Sequence, residues 1–546
     1  MVKMSRLIIL AFAVILIAQI GVMAYWGARK QGAHKDEVNT FYQTNGDALR
    51  RMYAANDFFN KWMPTSAFRD GITLKAQNRF DFINTYEKSE MNTAHPPLYF
   101  LTYHCAASFL PDQFSFWPGI VLNICYFIGG SLFLLQISRL LIKDGWMSLI
   151  PCLFWGFSAA AVNGVTYMRM YMTQTFMCLG FTYFIARLII SGFSARRLAG
   201  AAAFTLLGSL TQYYYLIYAF FLSAFCFFLL IHRRDIKNLI KFTAAMVFAL
   251  FVSVLCNPKV IENIFFNRRG SEAMENAINN AAFWESLRVY LNIISDSLFN
   301  SRMIIILGAI SLTTAIFIFI RCGIIKKRGN VTFINALKDI LRPDGEDQGR
   351  LFVWCACAVT SIAYTVVIAR IAPYLNERYI LCAMPMLVFS LTAALEYIRA
   401  RLHVNRAAYA AVATALVVAL CRASMPGQLE HLYRFKSGYN KMVSEYGELP
   451  FIVVIENKKK DDLSKIHMEI MAQDNQDKKV YVTMSGQLDM LESEKNITYT
   501  GDGAIVYVSN NLDHMKVIED TARAACLPHI KKLFYQHGFH TYRLYN

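Results

Sequence analysis

Two short polar motifs near the start of the chain carry residues that could do chemistry. Asp36 and Glu37 form an acidic pair soon after the first apolar segment, and His95 precedes Pro96 and Pro97 at the end of the same polar stretch. A carboxylate held close to a hydroxyl can accept its proton as the hydroxyl oxygen attacks another atom. The pair therefore indicates acid–base chemistry close to a membrane surface.

Hydropathy defines the class of protein to which these motifs belong. Of 546 residues, 55% are hydrophobic and 17% are charged, and the mean hydropathy is +0.33, more apolar material than a soluble core needs. Windows of about 20 residues, enough to cross a membrane, predict eleven spans: 7–25, 117–138, 146–163, 171–191, 198–213, 215–231, 239–256, 303–321, 351–370, 379–396 and 404–421. No convincing cleavage site ends the first span, so we expect it to be an uncleaved anchor.

The charge distribution predicts the orientation. With the N-terminus inside, the inner side carries 21 Lys and Arg against 7 Asp and Glu, so the net charge of +17 is mostly positive-inside bias and not a nucleic-acid footprint. Three large outer pieces remain: 26–116, 257–302 and 423–546. A further span at 98–111 would put the basic loops outside, and that segment is short and contains His104, so we expect a helix at the membrane surface.

The C-terminal tail changes character. Residues 451–455, 479–482 and 504–508 form short apolar runs typical of buried strands, with charged stretches between them. We therefore predict a mainly α, polytopic helical membrane protein with two domains: a transmembrane domain over 1–425 and a small extracytoplasmic α/β domain over 426–546. The twelve cysteines are scattered singly and give no basis for a disulfide framework or a cysteine-based metal site.

Further polar residues fall at the outer ends of the predicted spans. Charges at membrane depth cost roughly 2.5 to 3.5 kcal/mol on insertion scales, so they usually pair or serve a site, although arginines at span ends also reach lipid headgroups. The candidate substrate-binding residues are His95, Tyr167, Arg169, Tyr171, Gln212, Arg268, Arg269, Glu377, Arg378 and Tyr379.

In order and spacing these motifs resemble a known family. The series Asp36-Glu37, His95-Pro96-Pro97-Leu98, Tyr167-Met168-Arg169-Met170-Tyr171, Thr211-Gln212-Tyr213 and Glu377-Arg378-Tyr379 resembles the GT-C membrane glycosyltransferases of the protein O-mannosyltransferase and aminoarabinose transferase type. The resemblance covers about residues 1–425. Members of that family have eleven to thirteen spans and take a sugar from a polyprenyl phosphate on the outer or lumenal face.

The resemblance implies a chemistry and a set of partners. The donor would be a polyprenyl-phosphate sugar, and the acceptor a glycan, lipid or protein hydroxyl, in a multi-pass protein of a bacterial cytoplasmic membrane with site and C-terminus outside. Asp36, with Glu37 beside it, would be the catalytic base, and Arg169, Arg378 and His95 would hold the leaving phosphate. A single displacement would invert the anomeric carbon.

Two positions depart from the family pattern. Relatives often have an acid where this chain has Tyr167, and a histidine where it has Gln212. The first departure leaves Asp36 as the better supported acid. The second weakens a metal site borrowed from the family, so a divalent metal is left open and no cofactor is assigned.

Two other function classes fit part of the sequence. A transporter or flippase for a lipid-linked or polar solute would also have many spans, but transporters tend to show internal repeats and charges near the midplane. Here we find no repeat, and the charges lie at span ends. A membrane scaffold would explain the tail but neither Asp36 nor His95.

Overall fold

The computed structural model describes residues 5–46, 58–92, 95–279, 281–329, 335, 348–432, 437–457, 465–467, 470, 478–492, 503–536 and 538–546. Within these residues the α-helices are α1 Arg6–Gly27, α2 Lys35–Thr44, α3 Thr65–Ile72, α4 Phe82–Asn92, α5 Leu98–Ala107, α6 Trp117–Leu141, α7 Ile150–Phe157, α8 Ala159–Thr166, α9 Tyr171–Ser191, α10 Ala195–Ser209, α11 Tyr214–His232, α12 Ile236–Cys256, α13 Arg268–Asn279, α14 Phe283–Phe299, α15 Met303–Gly329, α16 Gln348–Ile371, α17 Met384–Leu402, α18 Arg406–Gln428, α19 Ser437–Tyr446 and α20 His514–Ala524.

The protein is a multi-pass helical membrane protein, as its hydropathy predicts. Within the described residues, nine helices are long and apolar enough to span a membrane: α1, α6, α9, α11, α12, α15, α16, α17 and α18. The window predicted at 146–163 is a bent pair, α7 and α8, whose axes differ by 54°. The window at 198–213 is α10, which has 15 residues and is about 22 Å long at 1.5 Å per residue.

The polar stretch between the first two spans folds into short helices. Among them, α5 begins directly after Pro97 and has ten residues, too few to cross a hydrocarbon core. It packs between α4 and α6. The prediction of a short helix rather than a further span at 98–111 is therefore correct in length. Much of the predicted inner loop at 321–350 lies outside the described residues.

The C-terminal part forms one mixed sheet. Its strands are β1 Trp62–Pro64, β2 Phe451–Ile455, β3 Lys479–Met484, β4 Gly503–Ser509, β5 His529–Gln536 and β6 Phe539–Tyr545, in the order β1-β3-β2-β4-β6-β5. β2 is parallel to β3 and β4, and the other pairs are antiparallel. Both faces of β2 are buried, which explains its unbroken apolar sequence.

The three strands predicted from apolar runs are present, and three others were not predicted. β5 and β6 form a hairpin whose outer strand carries exposed lysines, so no continuous apolar run marks it. β1 comes from the polar stretch between the first two spans and pairs with β3, with Trp62 opposite Tyr481. The sheet to which 426–546 contributes therefore also contains residues of that stretch.

A second link joins the polar stretch between the first two spans to the C-terminal part of the chain. The fully buried ring of His467 bonds through Nε2 to the carbonyl oxygen of Phe68, at 2.8 Å. Its Nδ1 lies 3.1 Å from the phenol oxygen of Tyr42, on α2. Because α2 also carries Asp36, the C-terminal domain is connected to the helix that bears the acidic pair.

Candidate active site

The helix that carries the acidic pair begins with a reciprocal cap. His34 Nδ1 accepts a hydrogen bond from the Asp36 amide at 3.1 Å, and Glu37 Oε2 accepts one from the His34 amide at 2.7 Å. This is the capping-box arrangement, with histidine in the place of the usual serine or threonine. The cap fixes where the first turn of α2 starts and therefore where Asp36 points.

Asp36 and Glu37 differ sharply in accessibility. The Asp36 side chain is 23% exposed, whereas that of Glu37 is 0% exposed. Glu37 Oε1 lies 3.1 Å from the Lys30 ammonium and accepts a hydrogen bond from the Met168 amide at 2.9 Å. Only Asp36 of the predicted pair is therefore open to a substrate, and Glu37 joins α2 to the turn that contains Met168.

After the start of α2, the second segment of the site is the turn between α8 and α9, which carries Tyr167 and Arg169. It is held from the side by Asn123 on α6, whose Nδ2 donates to the carbonyl oxygens of Val165 at 3.1 Å and Tyr167 at 2.9 Å. Carbonyls at a helix C-terminus lack partners within the helix, so a buried amide donor stabilises the end of α8. The turn is thereby fixed beside the start of α2.

The third segment of the site is a short 3₁₀ turn, Glu377–Tyr379, between α16 and α17. The guanidinium of Arg378 forms an ion pair with the carboxylate of Asp36, and its Nη1 donates to the phenol oxygen of Tyr167 at 2.5 Å. The Tyr167 hydroxyl in turn donates to Asp36 Oδ2 at 3.3 Å. Three distant segments thus converge on one carboxylate.

Arg169 contacts the main chain of Asp36. Its Nη1 donates to the Asp36 carbonyl oxygen at 3.2 Å and to Thr40 Oγ1 at 3.1 Å. Both Arg169 and Arg378 are buried, and among the described residues neither Nε has a hydrogen-bond partner. Two guanidinium groups therefore lie near Asp36, each with an Nε that the described residues do not pair.

Aromatic rings surround the Arg378 guanidinium. Its central carbon lies 5.9 Å from the ring centroids of Tyr167 and Tyr171 and 5.2 Å from that of Tyr379. Such contacts stabilise a cation and restrict the orientation of its plane. The predicted residues Tyr171 and Tyr379 therefore belong to the site as ring contacts of Arg378.

Glu377 connects the 3₁₀ turn that carries Arg378 to α8, the helix before Tyr167. Its Oε2 accepts a hydrogen bond from Asn163 on α8 at 2.8 Å, and the same amide group donates to the Gln428 carbonyl oxygen at 2.7 Å. Gln428 is the last residue of α18. The end of the last span is therefore tied to the residue next to Arg378.

The short segment after α18 completes the cluster. The ring of His431 lies nearly parallel to that of Tyr167, with centroids 4.1 Å apart and planes 17° apart. The His431 carbonyl oxygen accepts a hydrogen bond from the Lys30 ammonium at 2.5 Å. His431 therefore bridges the residues that hold Glu37 and those that hold Arg378.

The electrostatics favour an ionised Asp36. Burial alone would raise the pKa of this carboxyl group, but the His34 ring and the positive charges of Arg378 and Arg169 hold the pKa well below its usual range. Burial, with the nearby positive charge of Lys30, lowers the pKa of His431 well below its ordinary value. At neutral pH the site therefore contains a carboxylate, two guanidinium groups and a neutral imidazole.

The motifs of two further predicted site residues, Gln212 and His95, meet at the turn before α11. The Gln212 side chain accepts a hydrogen bond from the Tyr213 amide at 2.7 Å. His95 is half-buried, and its motif is joined to this turn through the Leu98 amide and the Leu210 carbonyl, 3.0 Å apart. Arg268 and Arg269 begin α13, and their side chains lie outside what the structure describes.

Several residues of the cluster were not predicted from the sequence. His34 could have been found, because its spacing to Glu37 matches a capping box. Lys30, Asn163 and His431 show no comparable signal, since each contacts a partner far away in the chain or is a single polar residue near an apolar run. Among the described residues, no group of three or more His, Cys, Asp or Glu side chains could hold a metal ion.

The fold and cluster define a multi-pass membrane protein with a carboxylate–arginine site at the ends of its spans. No family model matches the sequence, and no curated protein matches it. The fold is similar to that of ArnT from Cupriavidus metallidurans bound to undecaprenyl phosphate, at 10% identity and a TM-score of 0.48 over 98% of this chain and 97% of that one.

Two further solved structures are similar. Apo ArnT from the same organism gives 10% identity and a TM-score of 0.43, covering 98% of each chain. The Archaeoglobus fulgidus oligosaccharyltransferase in complex with zinc and sulfate gives 11% and 0.37, over 76% of this chain and 59% of that one. At these identities the likeness concerns the fold alone, and the activity of this chain is argued from its own residues.

Proposed function

We propose that this protein is an integral-membrane glycosyltransferase. It moves a sugar from a polyprenyl-phosphate donor to an acceptor hydroxyl on the extracytoplasmic face, with inversion, and Asp36 is the base. The single observation that carries this proposal is the partly exposed Asp36 carboxylate next to two buried arginines, for whose Nε atoms the described part of the chain supplies no hydrogen-bond partner.

The arginines fit a phosphate leaving group. A guanidinium presents Nε and one Nη along one edge, which matches two oxygens of a phosphate group. In Arg169 and Arg378 the described hydrogen bonds use Nη1, and each buried Nε has no partner among the described residues, so a phosphate that reached this edge would meet an unpaired donor. Polyprenyl phosphate is already a stable anion as it leaves, and it needs such donors more than it needs a proton.

The carboxylate fits the acceptor. As the acceptor oxygen forms its bond to the anomeric carbon, the bond from that carbon to the phosphate oxygen breaks and its electron pair stays on the phosphate. The acceptor proton passes to Asp36, which needs to lie within about 2.6 to 3.2 Å of the hydroxyl oxygen. Glu37 is enclosed by protein, so it positions α2 and takes no part in a double displacement; one displacement inverts the anomeric carbon.

The ion pair between Asp36 and Arg378 explains how a carboxylate of low pKa serves as a base. A phosphate bound to Arg378 competes for its charge and adds negative charge near Asp36. Both effects raise the proton affinity of the carboxylate. Donor binding therefore strengthens the base at the moment when it is needed.

The proposal is tested with purified protein in lipid nanodiscs. Undecaprenyl phosphate binding is measured by native mass spectrometry, and transfer is measured by mass spectrometry with polyprenyl-phosphate hexoses and pentoses and a glycan, lipid or peptide acceptor. We expect saturable phosphate binding that weakens when Arg378 or Arg169 is changed, and transfer that Asp36→Asn abolishes. Solute movement across proteoliposomes without any transfer product would instead favour a transporter.

A further inference from the structure

We propose that His431, in the segment that follows the last span, is a positioning residue that holds the Tyr167 phenol between Asp36 and Arg378. This inference rests on the proposed function, and it assigns a role to a residue that lies outside the family motifs. It also gives the junction between the two domains a part in the reaction.

The first step of the argument is the ring contact. The centroids of the His431 and Tyr167 rings are 4.1 Å apart and the rings are nearly parallel. Tyr167 also lies nearly parallel to Tyr171, with centroids 5.9 Å apart and planes 10° apart. The closer of these two contacts, that with His431, restricts the orientation of the ring whose hydroxyl lies 2.5 Å from Arg378 Nη1 and 3.3 Å from Asp36 Oδ2.

The second step is how the His431 ring is itself held. Its carbonyl oxygen accepts from Lys30, and the next carbonyl, that of Leu432, accepts from the Gln31 amide at 2.9 Å. Three residues earlier, the Gln428 carbonyl accepts from Asn163. The main-chain carbonyls of the segment 428–432 thus join it to the residues just before α2 and to α8, the helix that leads to Tyr167.

The third step separates positioning from proton transfer. His431 meets Tyr167 through the ring faces, which do not carry the titrating proton. The ring is fully enclosed, and burial and neighbouring charges keep it neutral. A flat apolar ring would preserve this contact, whereas a general acid or base could not be replaced in that way.

The experiment compares His431→Ala with His431→Phe, which keeps a flat ring, and His431→Leu, which keeps apolar volume without one. We expect His431→Ala and His431→Leu to lower kcat by between about tenfold and a hundredfold, the loss that a misplaced catalytic group causes, while KM for the donor changes less. His431→Phe is expected to restore most of the loss with an unchanged pH profile. His232→Ala, at the exposed end of α11, is the matched control.

A second readout does not depend on activity. Hydrogen–deuterium exchange of peptides covering 163–170 is expected to rise in His431→Ala and His431→Leu and to stay near the wild-type level in His431→Phe. If wild type transfers no sugar, the proposed function fails while this readout still tests the contact. The role given to His431 would be overturned if His431→Phe were as inactive as His431→Ala. It would also be overturned if both exchange and turnover were unchanged in His431→Ala and His431→Leu.

Discussion

Asp36 and Arg378 lie 342 positions apart in the sequence and form an ion pair in the fold. One begins the first outer helix and the other lies in the turn before α17. Their contact means that the proposed base and the proposed phosphate ligand partly neutralise each other's charge. A phosphate that bound Arg378 would therefore compete with Asp36 for the guanidinium.

The first prediction concerns the base. Asp36→Asn removes the negative charge and the ability to accept a proton, but it keeps the size of the side chain. Turnover should fall by at least about a hundredfold, the lower end of what a positioned base contributes, while undecaprenyl phosphate should bind as well as before or better, since Arg378 is released. Asp70→Asn, with a side chain 64% exposed, is the control. Near-normal turnover in Asp36→Asn would remove Asp36 as the base.

The second prediction concerns the two arginines. Arg378→Lys and Arg169→Lys keep the charge but lose the planar edge that meets two phosphate oxygens. Each should lower the rate at saturating acceptor by about a hundredfold to a thousandfold, the usual loss of one donor to a developing anion. Arg196→Lys on the exposed start of α10 should change nothing. Thermally stable and fully active lysine variants at both sites would direct the search for the phosphate ligand to Arg268 and Arg269.

The third prediction follows from the charge around Asp36. Because the Arg378 charge helps to hold the pKa of Asp36 well below its usual range, the wild-type carboxylate stays ionised at all pH values near neutrality. Arg378→Gln removes that charge while burial still raises the pKa, so the acid limb of kcat/KM should move to higher pH. Measuring kcat/KM against pH for both proteins checks this. A lower rate with an unshifted acid limb would mean that Arg378 does not set the pKa of the base.

The fourth prediction separates Glu37 from Asp36. Lys30→Met leaves the Glu37 carboxylate buried without its cation, and breaking a buried pair costs about 3 to 5 kcal/mol. The double variant Lys30→Met with Glu37→Gln should regain part of this stability, because no charge remains unpaired. Thermal unfolding in detergent measures both, and Lys75→Met, from the exposed pair with Asp70, is the control.

The same variants test the role of Glu37 in the reaction. Glu37→Gln should lose stability while the folded fraction keeps much more activity than Asp36→Asn. The reverse pattern, full stability with abolished turnover, would make Glu37 catalytic.

Sequence patterns predicted the elements better than the contacts between them. Apolar windows located the spans because each span is continuous in the chain, and α10 was placed although it proved short. β5 was missed because an antiparallel edge strand alternates its side chains, and the lysines at Lys531 and Lys532 hid the pattern. β1 was missed because its three residues pair with a strand more than 400 positions away.

The same reasoning applies to the site. Asp36, Arg169 and Arg378 could be predicted because their motifs lie at span ends, where charge is costly. The exclusion of Glu37 from solvent could not, since it depends on Lys30 and on the amide of Met168. His431 was not predictable because its contact with Tyr167 joins the segment after α18 to the turn between α8 and α9, and nothing in the sequence near either residue indicates that these segments meet.

The last prediction concerns His467, which joins the C-terminal domain to α2. Burial lowers the pKa of this imidazole from 6.5 to about 4. The unfolded chain therefore binds a proton at a higher pH than the folded one, so the stability contributed by the neutral ring is complete above about pH 6.5 and is lost as the pH falls toward the folded pKa. His467→Gln keeps a donor for the Phe68 carbonyl and an acceptor for Tyr42 but does not titrate. The Tm should fall between pH 7 and pH 4 in both proteins, and the fall should be smaller in His467→Gln than in wild type. His529→Gln, on the edge strand β5, is the control. Equal losses in wild type and His467→Gln would show that another group carries the acid sensitivity and that the link from the C-terminal domain to α2 does not depend on a neutral ring.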